Sequence, residues 1–146
     1  MKRISFWLLA FASVLLFNCK GDDSPSAQTR TELIKASGWQ LSRITTTDGQ
    51  TVANSKLNAS TLIIYALDIQ FKDNNVVRAA DKVSKQIINA GTWTFIESDT
   101  KIDVNVTGFS GKFEVVELTT TKLVLRNKIP VSGVDTDGNM EFVPSL

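Results

Sequence analysis

The chain of 146 residues has no histidine and one cysteine, and it carries 16 basic residues against 15 acidic ones. Without histidine there are no Ser–His or Cys–His nucleophile pairs and no histidine-based zinc sites. A lone cysteine, Cys19, cannot form an internal disulfide. The sequence also lacks a glycine-rich phosphate loop of the usual spacing. No basic block is interleaved with aromatic residues, so nucleic acid is a poor partner. The uncharged, mostly apolar run from Ile4 to Phe17 would span about 21 Å as a helix, short of the roughly 30 Å of bilayer hydrocarbon. Catalysis would have to rest on carboxylates alone. Glu114 and Glu117, three apart in a strand with a bulge, need not share a face and read as solvated outward positions. The chain therefore reads as a non-enzyme with no cofactor.

What is present begins at the N-terminus. Lys2 and Arg3 precede the apolar run, and the composition turns abruptly polar after Cys19. A basic start, a short apolar stretch and a cleavage-type site make residues 1–18 a secretory signal peptide. Leu16-Phe17-Asn18-Cys19 resembles the lipobox of bacterial lipoproteins. That resemblance implies cleavage before Cys19, with Cys19 as the acylated mature N-terminus; an ordinary cleaved signal peptide with an incidental cysteine is the rival reading. Lys20-Gly21-Asp22-Asp23 resembles the lysine-then-acidic tract of surface-exposed Bacteroidota lipoproteins. It implies a lipid-anchored place on the outer membrane, with display on the cell surface slightly favoured over a periplasm-facing location. Residues 19–28 then form the lipidated cysteine and a polar tether, and residues 29–146 are enough for one domain with its own core.

Within that domain, Thr29 or Thr31 is placed to cap a short helical turn through Glu32 to Lys35, ended by Gly38. Period-two alternation follows. Trp39, Leu41 and Arg43 alternate with Gln40, Ser42 and Ile44, and Thr45 to Gly49 read as a turn. Gln50 to Ser60 read as a loop, Leu62 to Phe71 as a strand, Lys72 to Asn75 as a tight turn and Val76 to Ala80 as the returning strand. Further strands run from Thr92 to Ile96, from Ile102 to Val106, from Phe113 to Leu118 with a bulge at Val115-Val116, from Leu123 to Val131, and from Met140 to Val143. Gly108 to Gly111 and Asp135 to Asn139 read as turns. The second of these spaces its oxygens suitably for Ca²⁺, but it lacks the closing glutamate, and Asp, Gly and Asn are turn formers in any case. About eight strands joined in chain order predict an all-β, antiparallel up-and-down barrel, with a β-sandwich as the alternative. Threonines at 45, 47, 92, 94, 119 and 121 suggest a solvated exterior without a large apolar patch.

Gly38-Trp39-Gln40-Leu41, Ile69 to Asn74, Gly91-Thr92-Trp93, and Phe113 to Leu125 together resemble the lipocalin-like domains of Bacteroidota lipoproteins. The resemblance implies a small calyx-like barrel on a lipid anchor and brings no catalytic residues. Trp39 and Trp93 are expected to pack inside the barrel. The candidates for contact with a small apolar or sugar-like ligand are Arg43 and Tyr65 near the mouth, and Trp93. A filled barrel that docks another envelope protein is the competing reading, and a carboxylate-dependent enzyme the remote one.

Overall fold

The structure, a computed structural model, describes residues 28–145. The segment read as a signal peptide and Cys19, the residue expected to carry lipid, lie outside the described residues.

The first element is the helix α1, Arg30–Lys35. Thr29 starts it through a capping box: its hydroxyl accepts the Glu32 N–H at 3.2 Å, and the Glu32 carboxylate accepts the Thr29 N–H at 2.7 Å. A helix this short does not hold itself together. It is fixed by burial of Ile34, whose carbonyl accepts the Trp39 indole N–H at 2.8 Å.

Eight strands follow: β1 Trp39–Thr46, β2 Leu67–Phe71, β3 Val76–Asp81, β4 Ile87–Ile96, β5 Lys101–Val106, β6 Phe109–Leu118, β7 Leu123–Val131 and β8 Val134–Pro144. Each pairs antiparallel with the next, and β8 returns to β1, so the sheet closes into an up-and-down barrel. The closing seam runs from Trp39↔Pro144 to Thr46↔Gly138. The predicted barrel is thus the architecture formed, and the sandwich is not. The predicted bulge in β6 is present as a register shift between Val115 and Glu117.

Three local expectations are corrected. Leu62 to Ala66 are helical: α2 (Ala59–Ile63) runs into a 3₁₀ turn (Ile64–Ala66), and only Leu67 onward is strand. Asn58 caps α2 by accepting the Thr61 N–H at 2.8 Å, and a contiguous apolar run has no period of two to oppose it. Asp135 to Asn139 lie inside β8, because Ser132 and Gly133, at φ 52° and 80°, make the hairpin turn earlier. Likewise Phe109 to Gly111 are strand, with Gly108 at φ 89° taking the turn.

The up-and-down order gives the barrel two mouths. The upper one carries the β1–β2, β3–β4, β5–β6 and β7–β8 connections; the lower one carries the other turns and α1. Both are covered. Below, Lys35 of α1 pairs with Asp73 in the β2–β3 turn. Above, the long β1–β2 connection is tied down by the Leu57↔Val131 bridge and by the Ser132 N–H donated to the Lys56 carbonyl at 2.7 Å. Between them the interior is filled by side chains: Trp39, Phe71 and Phe142 are each at most 1% exposed. Phe109 stacks on Phe113 at 4.9 Å between ring centres, and Trp93 meets Phe71 edge-on at 5.3 Å. Thr45 is buried under Glu141 and does not join the solvated threonines. Exposed apolar side chains do occur, and Ile63, Val83, Ile87 and Ile88 stand at the upper mouth.

Candidate binding clefts

The filled interior leaves the principal cavities on the wall and rim of the barrel. Two lie side by side and share Asn75, Trp93 and Thr94. The first, about 310 Å³, lies at the lower rim between α1, the β2–β3 turn and β4, with Lys35, Asp73 and Phe95 among its lining residues. The second, about 320 Å³, lies on the outer face of β4 and β5, where Thr92, Thr94, Asp103 and Asn105 stand in two cross-strand pairs. A third, about 230 Å³, opens where the β6–β7 ladder stops at Glu114↔Arg126, and α2 lies across it. A void of about 40 Å³ sits between β1, β7 and β8.

Trp93 joins the first two clefts. Its side chain faces inward and is 5% exposed, and its indole N–H donates to the Lys72 carbonyl at 3.0 Å. Its backbone is clamped to Asn75: the Trp93 N–H donates to the Asn75 carbonyl at 2.9 Å, and the Asn75 amide donates back to the Trp93 carbonyl at 2.8 Å. The clamp depends on the β2–β3 turn, where Asn74 and Asn75 both take positive φ, 56° and 59°. Asparagine tolerates that region better than most residues. Trp93 is therefore packed, as expected of it, and it also forms the inner wall of the clefts. Around it the lining is rich in hydroxyl and amide groups that donate and accept hydrogen bonds without carrying charge.

The other two candidates stand elsewhere. A register shift between Leu41 and Arg43 turns Arg43 outward, away from the face it was expected to share with Trp39 and Leu41, and Ile44 takes the inward place. The guanidinium of Arg43 binds both oxygens of Glu141, at 3.0 and 3.2 Å. Tyr65, in the 3₁₀ turn above β2, is half-buried against the core. Burial pushes its phenol above the ordinary value, and the Ile44 backbone opposes this in part. Arg43, Tyr65 and Trp93 thus do not converge on one site. Residues that sequence reading passed over complete the clefts: Asn75, Thr92, Asp103 and Asn105. The shared outward parity of Thr92, Asp103 and Asn105 on β4 and β5 was the available signal, whereas Asn75 comes from the β2–β3 turn. Among the described residues, no group of three or more metal-ligating side chains is placed to hold an ion.

No family model matches this chain. A search of curated proteins likewise finds no match. Among solved structures the chain is similar to a lipocalin-like protein from Bacteroides uniformis. Identity is 13%, the TM-score is 0.49, and the match covers 76% of this chain and 98% of that one.

Proposed function

We propose that the chain is a lipid-anchored, outer-membrane-associated binding protein that holds a small sugar-like ligand on the outside of a filled barrel. The supporting observation is the pair of adjoining clefts around Trp93, about 310 and 320 Å³, half of whose lining residues are threonine or asparagine, alongside Lys35, Lys72, Asp73 and Asp103. Uncharged groups that both donate and accept hydrogen bonds suit a polyhydroxylated molecule. An apolar ligand in a central calyx is disfavoured, because Trp39, Phe71 and Phe142 occupy that space. Cys19 would carry the acyl chains, and the polar tether would leave the barrel free above the membrane surface.

The ligand reading is tested by native mass spectrometry of the protein gently released from its own host. A reproducible extra mass, lost on denaturation and absent from the exposed-residue double variant Thr92→Ala/Asn105→Ala, is the expected result. A clean apo mass, or an extra mass that persists in a folded double variant, would overturn it. The anchor is tested separately by Cys19→Ala, which should abolish acylation and membrane retention. An unchanged mass and unchanged retention would remove the lipoprotein reading.

A further inference from the structure

The β3–β4 hairpin is longer than its neighbour. β5 ends at Val106, and the chain turns back at Gly108, so β4 pairs with β5 only from Thr92↔Asn105 onward. β4 itself begins at Ile87. From Ile87 to Ala90 it is therefore paired with β3 on one side, with Ile88 as the extra residue of a bulge opposite Ala79-Ala80, and no strand lies along the other; Gly91 already sits against Asn105 and Val106 of β5. What reaches across is one long side-chain contact, from the Asn89 amide to the Thr107 carbonyl at 3.5 Å. Alternate backbone N–H and C=O groups along this stretch point into the open lane beyond the β5–β6 turn.

The side chains here are unusual for a solvated edge. Ile87 and Ile88 are each 54% exposed, and Val83 near the hairpin tip is 89% exposed. Natural edges are commonly blunted by charge, proline or a covering segment. The run Gln86-Ile87-Ile88-Asn89-Ala90-Gly91 has no charge and no proline. Two cations flank it. Arg78, opposite Ala90, and Lys82, in the turn, make no ion pair among the described residues. Lys85 is taken by Asp68, and Asp81 accepts the Val83 and Ser84 N–H groups of its own turn. Ala90 is too small to block Arg78 from reaching over β4 into the open lane.

We propose that the free β4 edge, Ile87–Ala90, docks an extended strand of a partner protein that carries apolar and acidic side chains together on its outward face. The added strand continues the ladder by backbone hydrogen bonds, and on its outward face apolar side chains cover the exposed isoleucines while carboxylates reach Arg78, which shares that face with Ala90. A second copy of this chain is the weaker occupant, because the same edge brings no carboxylate to either cation. This surface lies at the upper mouth, away from α1, and stands whether or not the Trp93 clefts hold a sugar.

The experiment is hydrogen–deuterium exchange of the mature full chain with three capped heptapeptides: one with valine and glutamate on the same face and threonine between them, its lysine counterpart, and the glutamate peptide interrupted by proline. The glutamate peptide alone should slow exchange at Ile87–Ala90. Ile88→Asp should abolish that protection, and Arg78→Glu should weaken glutamate-peptide binding about fivefold and favour the lysine peptide. Three results would overturn the proposal: no protection at millimolar glutamate peptide, equal protection by the lysine peptide, or a sedimentation dimer that Ile88→Asp dissolves in the absence of peptide.

Discussion

Asp68 illustrates how much can hang on one side chain in a barrel wall. It is 1% exposed on β2, with one carboxylate oxygen 3.1 Å from Lys85 and the other, Oδ1, without a hydrogen-bond partner. Gly38 makes room for it, since a Cβ there would strike Asp68 Oδ1 and Ser145 Oγ. A buried charge that loses its only counter-ion costs more than removal of the whole pair. Lys85→Met should therefore destabilise the fold by about 1–2 kcal/mol, a figure reduced from the fully buried case because Lys85 is partly solvated. Asp68→Asn should cost less, and adding it to Lys85→Met should recover part of the loss. Urea titration of the three variants measures this; a double variant less stable than Lys85→Met alone would contradict the account. The same scale sets the limit of sequence reading. Trp39 and Trp93 were legible as packed residues from alternation alone. Arg43 was not legible, because a single extra residue in β1 moved it to the other face.

At the scale of elements, the tightest fit in the wall is where β4 meets β5. A Cβ on Gly91 would run into the Asn105 carbonyl oxygen, which is backbone and cannot swing aside. Gly91→Ala should force the two strands apart and cost about 2–3 kcal/mol, measured as a lowered urea midpoint with an unchanged slope. A variant as stable as the parent would show that the strands can shift at little cost. The elements also differ in how plainly the sequence announces them. β5 and β7 could be read directly, because Ile102, Val104 and Val106, and then Leu123 and Leu125, alternate as half-buried strands do. The helix at Ala59–Ile63 was hidden: Leu62-Ile63-Ile64-Tyr65 is apolar without a period, and the decisive local cue was the Asn58 cap. The length of β8 was hidden for the opposite reason. Its Asp-Thr-Asp-Gly-Asn run has turn chemistry, yet the tight Ser132-Gly133 turn had already reversed the chain. The Trp93 clefts were half visible, since Trp93 stood out but its polar neighbours come together only through the β4–β5 register.

For the molecule as a whole, the outer side of the closing seam is an ionic lattice. Arg43 of β1 and Lys122, just before β7, both reach Glu141 of β8, and Lys122 also meets Glu117 of β6. Burial alone would raise the Glu141 pKa, but the Arg43 hydrogen bonds and the Lys122 charge outweigh it and hold the carboxyl below its ordinary value of 4.5. Asp73 and Asp81 are lowered too, by the Lys35 hydrogen bond and by the Ser84 hydrogen bonds respectively. A carboxylate with a depressed folded-state pKa contributes stability above its unfolded value and loses it as pH falls through the folded one. Melting temperature should accordingly drop as pH is lowered below about 4.5. Glu141→Gln should be less stable at neutral pH by about 1 kcal/mol and flatter across the acid range. Parallel pH profiles for the two proteins would remove Glu141 from that role.

The seam also dictates an order of events. Trp39 opens the barrel and pairs with Pro144 at its far end, and the Ser145 N–H donates to the Gly38 carbonyl at 2.8 Å. The first strand must therefore wait for the last. Until β8 arrives, β1 and β7 are both raw edges, and the sheet is an open, sticky ribbon. Contacts that span nearly the whole chain make for slow folding, so a chain made or threaded N-terminus first has an interval in which it needs protection from its own copies. The adjacency that imposes this delay also offers a remedy. A circular permutant that keeps α1 and joins Ser145 to Gln28 through a linker long enough to span that helix, and opens instead at the exposed Thr119-to-Lys122 turn, turns the slowest closure into a local connection.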